Sequence, residues 1–384
     1  MKENKSTQFE FLRFLAFTLI FIWHAGIWSF PFLPNDRGAV AGVSFFFILS
    51  GFLSGFSSYE KSVRFSVRET LSYVWKKIKR IYPLYFVTGF LLLMFSDIPI
   101  NIAMHNIPAC AGTLEKFARY LLMIQSWFPG GDYFAINRAG WFLSSILPAY
   151  LLTIPAKAAA TRIRKKQRSG PAFGLLFFIL AACTVLYCYL TRNLDAEYYQ
   201  YIFPVARLGE YFSGMALGYF LKPLCRQMQS ATEQHDVSCS HIAEPCVGSQ
   251  TAKPCTGTCP LTTKPARRLL FTLAELLSLA LFLGAMYMEI PYWCYRIVWW
   301  LLPIYLVLAV FAAGEGYLSL LFQKKFFVRL GEITMPCFLL NTLVIEIYIA
   351  AVGDTALLSG SGKAFALAFT FTATILLSLL IKTN

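Results

Sequence analysis

The sequence predicts an all-α, polytopic membrane protein with about ten transmembrane helices and both termini cytoplasmic. Three observations carry this expectation. Of 384 residues, 57% are hydrophobic and only 14% charged, where a typical soluble domain carries about a quarter charged residues. Apolar runs near the roughly 20 residues needed to cross a bilayer core recur along the whole chain. Lysine and arginine fall in alternate loops between those runs, as expected when cytoplasmic loops retain positive charge.

The first span is Phe9–Phe30. Its apolar run exceeds a signal-peptide core and no A-x-A-like cleavage site follows, so it reads as a retained helix. The second, Ala39–Phe56, is rich in small residues. The third and fourth, Ile81–Phe95 and Gly140–Pro155, are short enough to be re-entrant or tilted against their neighbours. Between them, Leu114–Phe128 is apolar but interrupted by Glu115, Lys116 and Arg119, and reads as an amphipathic helix at the interface. The remaining spans are Phe173–Leu190, Ile202–Leu221, Leu269–Met288, Trp293–Ala313, Leu330–Val352 and Ala364–Ile381.

Loop charges set the orientation. With the N-terminus inside, the inner loops hold basic groups such as Lys76 to Arg80, Lys157, Arg162 to Lys166, Arg267 and Arg268, and Lys324 and Lys325. The outer loops hold only Arg37, Lys116, Arg119, Arg138, Arg192 and Lys363. This pattern also explains the net charge of +14 by topology, without a nucleic-acid partner. The chain reads as one transmembrane domain over 1–384, with a flexible cytoplasmic loop at 222–268. Cys239, Cys246, Cys255 and Cys259 in that loop match no standard zinc spacing, and His235 and His241 are not in finger-like positions. No metal site is expected. The long outer loop from Ser96 to Ala139 holds His105, Asp132, Tyr133 and Asn137; loops of that length usually have a function or are disordered. No internal repeat supports an inverted-repeat transporter.

Arg13 and His24 stand within the first apolar run. Eleven residues apart, they share one helix face at depths about 16 Å apart. Ionisable residues inside membranes usually face a cavity or the bundle interior. Arg13 fits equally a snorkelling anchor, and His24 an imidazole bonded to a neighbouring helix. A histidine also has the pKa to take a proton from a hydroxyl near neutral pH. In the second span, Gly42, Ser44, Ser50, Gly51, Ser54 and Gly55 would let another helix or a ligand approach the backbone. A basic cluster follows in WKKIKRIYPLY, Trp75 to Tyr85.

The order Arg-x10-His, then GVSFFFILSGF, then a basic cluster ending in RIYP resembles the acyltransferase-3 family of integral membrane acyltransferases. WFLSSILPAYLL from Trp141, ARLGEYFSGMALGYFL from Ala206 and LGEITMPCFLLNTLVI from Leu330 are similar to later family segments. The resemblance covers nearly the whole chain. It implies that His24 is the catalytic base and Arg13 its partner below, with Ser50, Gly51 and Phe52 beside the reaction channel and Trp141 and Asn341 among the substrate-binding residues. It implies that Lys76, Lys77 and Arg80 bind the phosphates of coenzyme A, where the family pattern has Arg-Arg-x-x-Arg. Lysine keeps the charge and loses the bidentate fork. Arg207 and Glu210, one turn apart, either pair or hold a polar acceptor. Two positions depart from many relatives: Ile146 replaces a glutamate, and Asn341 a histidine.

The implied activity moves an acyl group, expected to be acetyl, from acyl-CoA to a hydroxyl of a carbohydrate or glycolipid at the envelope of a bacterial cell membrane. Trp127, Tyr133 and Phe134 would stack on sugar rings or anchor in the aromatic belt. The alternative is a degenerate member acting in export of a glycan or acyl group. The other large family of membrane-bound acyltransferases needs a histidine in the later half of the chain, and no histidine follows His241.

Overall fold

The structure, a computed structural model, describes residues 7–25, 35–95, 107–166, 169–242, 264–353 and 359–383. Those residues form helices and no strand. In chain order they are α1 (Gln8–His24), α2 (Asn35–Phe56), α3 (Val67–Met94), α4 (Ile107–Leu121), α5 (Gly140–Arg164), α6 (Ser169–Leu190), α7 (Pro204–Ile242), α8 (Lys264–Gly284), α9 (Val298–Ala313), α10 (Tyr317–Phe322), α11 (Lys325–Glu332), α12 (Thr334–Val352) and α13 (Gly360–Thr383). Five are long and apolar enough to cross a membrane: Asp36–Phe56, Gly140–Arg164, Ser169–Leu190, Thr334–Val352 and Gly360–Lys382. The other expected spans, as far as they are described, also fall largely on helices, which are shorter or carry basic turns; the end of the first, Gly26 to Phe30, lies outside the described residues.

Several boundaries differ from expectation for identifiable reasons. The third and fourth spans are not short. Helix α3 begins 14 residues before Ile81 because Ser66 caps it, its hydroxyl accepting from Glu69 N at 3.4 Å. Helix α5 runs through Pro148 and Pro155 to Arg164. Helix α7 continues past Pro223 to Ile242, through strong helix formers such as Leu224, Arg226, Gln227 and Met228, so the expected loop begins later than Lys222. His235, Cys239 and His241 fall on α7, while Cys246, Cys255 and Cys259, like His105, lie outside what the structure describes. The ninth span divides at Ile333 into α11 and α12. The expected interfacial helix is α4 with a following turn at Met123, whose φ is +55°. It docks on α3 through Tyr120, stacked on Tyr85 at 4.0 Å, and each hydroxyl donates to the other residue's carbonyl at 2.7 and 2.8 Å.

Helix α2 is the buried centre, and α7 is the helix packed closest against it. Gly51 and Gly55 on α2 face the backbone of α7 at Tyr211 and Met215, while Gly214 and Gly218 on α7 face α2 at Ile48 and Phe52. Without side chains between them, the two backbones approach closely, a small-residue packing suited to an apolar solvent. A methyl group at Gly51 would overlap the Tyr211 carbonyl. Gly51→Ala is therefore expected to destabilise the protein by about 1–3 kcal/mol. Gly112→Ala, which meets open space, is the control. A Gly51→Ala protein that denatures in detergent together with wild type would remove this packing role.

Polar side chains tie the other helices together. Ser145 donates to Ile202 O at 2.6 Å, Asn137 Nδ2 to Leu339 O at 3.0 Å, and Ser213 and Tyr305 share a hydroxyl contact at 2.6 Å. The outer helices turn large apolar residues outward, including Leu175 and Phe178 on α6, Leu270 and Leu277 on α8, and Phe365 and Leu380 on α13. Surfaces this apolar and extensive suit lipid contact.

Candidate functional site

Helix α1 ends at His24, where the ring meets α12. His24 Nδ1 lies 2.7 Å from Asn341 Oδ1. The amide is oriented by its neighbours: Asn341 Nδ2 donates to Phe338 O at 2.9 Å, and the Thr342 hydroxyl donates to Oδ1 at 3.1 Å. The oxygen therefore faces the ring. An amide oxygen only accepts, so Nδ1 carries the proton and the lone pair of the neutral imidazole sits on Nε2. The ring lines a cleft of about 350 Å³ together with Trp23, Arg138, Thr342, Ile345, Glu346 and Ile349. Neither Arg138 nor Glu346 forms an ion pair with another described residue.

Arg13 lies three turns away, near the opposite end of the bundle, where Nη1 donates to Glu10 Oε2 at 2.6 Å. That contact meets its charge and holds the guanidinium. Helix α3 brings Lys77 to the same end, its ammonium 5.7 Å from the Tyr73 ring and 5.6 Å from Tyr150. Lys77 is itself exposed, and the Arg13 and Arg80 charges act on its ammonium. Residues 73, 77 and 80 follow the i, i+4, i+7 rule and share one face. Lys76 lies about 100° round the helix and is exposed. Lys157 of α5 sits 5.4 Å from the Tyr73 ring.

A third group lies in the core. Arg207 Nη1 donates to Glu210 Oε2 at 2.6 Å, and both side chains are 0% exposed. Arg207 Nε also donates to Tyr201 O at 2.8 Å, and its guanidinium lies 4.7 Å from the Tyr201 ring and 5.9 Å from Trp141. Arg207 Nη2 and Glu210 Oε1 have no partner among the described residues. Trp141 is buried against Tyr201 at 4.9 Å. Of the two partners left open for Gly51, a helix or a ligand, the structure puts helix α7 against it. Ser50 is half-buried beside it. Ile146 is buried in the apolar core.

A family model described as an acyltransferase domain matches residues 7–383. The chain belongs to the acyltransferase-3 family. Neither the curated proteins nor the solved structures give a significant match. The family and the apolar helices make this acyltransferase-3 chain a membrane acyltransferase. Within it, the structure joins His24 to Asn341 and brings Arg13, Lys77 and Arg80 to one end, with Lys76 turned away. Sequence reasoning missed Glu10, Thr342 and Glu346. Each had a signal: Glu10 lies one turn before Arg13, and Thr342 and Glu346 lie one turn apart inside an apolar span, where polar and charged groups are rare.

Proposed function

We propose that this acyltransferase-3 protein moves an acyl group, acetyl in the simplest case, from acyl-CoA to a hydroxyl of a carbohydrate or glycolipid at the cell envelope. The carrying observation is the His24–Asn341 hydrogen bond, which leaves a basic nitrogen on a ring that lines a cleft. In this reading the chain crosses a bacterial plasma membrane about ten times with both termini in the cytoplasm, as its loop charges favour. The Arg13 end then faces the cytoplasm and the His24 cleft faces outward.

The donor's phosphates bind at Lys77 and Arg80, with Lys76 adding charge at the rim, and its thioester extends toward His24 along the face that Arg13 and His24 share. The acceptor enters the outer cleft, where Arg138 and Glu346 offer a hydrogen-bond donor and an acceptor to sugar hydroxyls. His24 Nε2 takes the proton of the acceptor hydroxyl as its oxygen attacks the thioester carbonyl. The carbon–sulfur bond breaks as the carbonyl re-forms, and the proton passes from His24 to the departing sulfur. Asn341 holds the ring in the required tautomer throughout. Arg207, Glu210 and Trp141 support the acceptor side from within the core.

The test is transfer itself. Purified protein in liposomes, given acetyl-CoA labelled in the acetyl group and isolated envelope glycans, is expected to place label on the glycan as an ester released by mild alkali. Binding of CoA with no transfer to any glycan fraction would overturn the reading and favour the degenerate alternative.

A further inference from the structure

Lys157 poses an electrostatic problem. It stands on α5, a full helical turn beyond Thr153, whose hydroxyl meets Tyr211 OH at 2.9 Å. Lys157 is only 9% exposed. Its ammonium approaches the Tyr73 ring at 5.4 Å, and the Lys77 ammonium approaches that same ring at 5.7 Å. Lys77 and Lys61 are also the charges that act on it. Neither Lys77 nor Lys157 forms an ion pair with a described residue. Arg13, close by, already has Glu10. A cation–π contact offsets part of the lost hydration but cancels no charge, and a buried charge is normally paired. Two cations from different helices, converging on one aromatic ring without a carboxylate, are arranged as an anion site is arranged.

We propose that Lys157 and Lys77 form a phosphate-binding pair beside Tyr73, and that the phosphate is carried by the soluble acyl donor. The proposal rests on the acyl-CoA reading for its ligand, though not for its anion chemistry. It extends the donor site from one helix, α3, to a second, α5, and makes Lys157 a specificity residue for phosphorylated over phosphate-free thioesters. The Tyr73 ring lies 5.4 Å from one ammonium and 5.7 Å from the other, which brings both heads within reach of one diphosphate.

The experiment uses the full chain in phosphatidylcholine nanodiscs and titrates CoA, pantetheine and inorganic pyrophosphate. Lys157→Gln is expected to weaken CoA and pyrophosphate binding about 10-fold or more, the loss of one charge-assisted contact. Pantetheine binding should be unchanged, and Lys157→Arg should restore most of the CoA affinity. Lys77→Gln, on an exposed side chain, should give a similar loss and guards against a folding defect at the buried position. Because Lys157→Gln removes like-charge repulsion, the ligand-free variant should melt no lower than wild type; a purely structural lysine would lower the melting temperature and leave CoA affinity alone, which would overturn the proposal. Equal CoA binding by wild type and both glutamine variants would also overturn it. So would a loss confined to discs containing phosphatidylglycerol, which would make a lipid headgroup the occupant. Pyrophosphate binding that depends on Lys157, with no binding of CoA by wild type, would keep the phosphate site and refute the acyl-CoA reading.

Discussion

Replacing His24 with alanine is expected to lower acyl transfer by about 10²–10⁴-fold, the usual contribution of a positioned general base. CoA affinity should be untouched, because the site proposed for the donor's phosphates lies near the opposite end of α1. The loss should therefore fall on kcat and on kcat/KM equally. Asn341→Leu tests the partner. It removes the oxygen that fixes the Nδ1 proton, so the ring loses its set tautomer and a half-buried donor loses its acceptor. A smaller loss of about 10- to 100-fold is expected, equivalent to about 1.4–2.8 kcal/mol. Asn341→Gln, with the same amide one carbon farther out, should recover little, since the hydrogen bond depends on placement. Steady-state kinetics with labelled acetyl-CoA checks all three. Full transfer by His24→Ala would remove the imidazole from the chemistry, and full transfer by Asn341→Leu would reduce the hydrogen bond to packing.

The pairing of His24 with Asn341 shows what the sequence could and could not convey. The eleven-residue spacing puts Arg13 and His24 on one face by helix geometry alone, and each apolar run, where it is described, falls largely on a helix. The spacing cannot say which helix that face meets. Contacts such as His24 to Asn341 join residues 317 positions apart, and no local pattern encodes them. Read alone, Asn341 looks like the absence of a second histidine. In the structure it orients the histidine that is present. The end of α9 was legible, since the expected span stops at Ala313 and Gly314, whose φ is +68°, closes the helix there, whereas the Ser66 cap starts α3 well before its apolar run. The lengths of α3 and α5 were hidden because basic residues lower local hydropathy without ending a helix. For the same reason Lys157 reads as a loop charge, although α5 carries it into the bundle.

Removing one member of the Arg207–Glu210 pair is expected to cost about 3–5 kcal/mol, because it leaves a buried charge without its counter-charge. The two side chains are 0% exposed, so water cannot readily hydrate the survivor. Arg207 is the more demanding partner. It bonds Glu210 and the Tyr201 carbonyl, reaches Ser44 on α2 at 3.4 Å, and lies among the Phe47, Tyr201 and Trp141 rings. Arg207→Met loses that whole set and strands a carboxylate; Glu210→Gln keeps the shape and strands a guanidinium. Both should reduce detergent stability and yield of folded protein. Replacing both together with apolar residues of similar volume should recover much of the loss, since neither charge then remains to be met. Thermal denaturation of the two single variants and the double variant, read as a mutant cycle, separates this account from its rival. Strong coupling, with the double variant at least as stable as either single one, means that the pair chiefly neutralises itself. A stable double variant that binds CoA but no longer transfers acyl groups would assign the pair a role with the acceptor. Single variants as stable as wild type would mean that solvent reaches these charges, contrary to their burial.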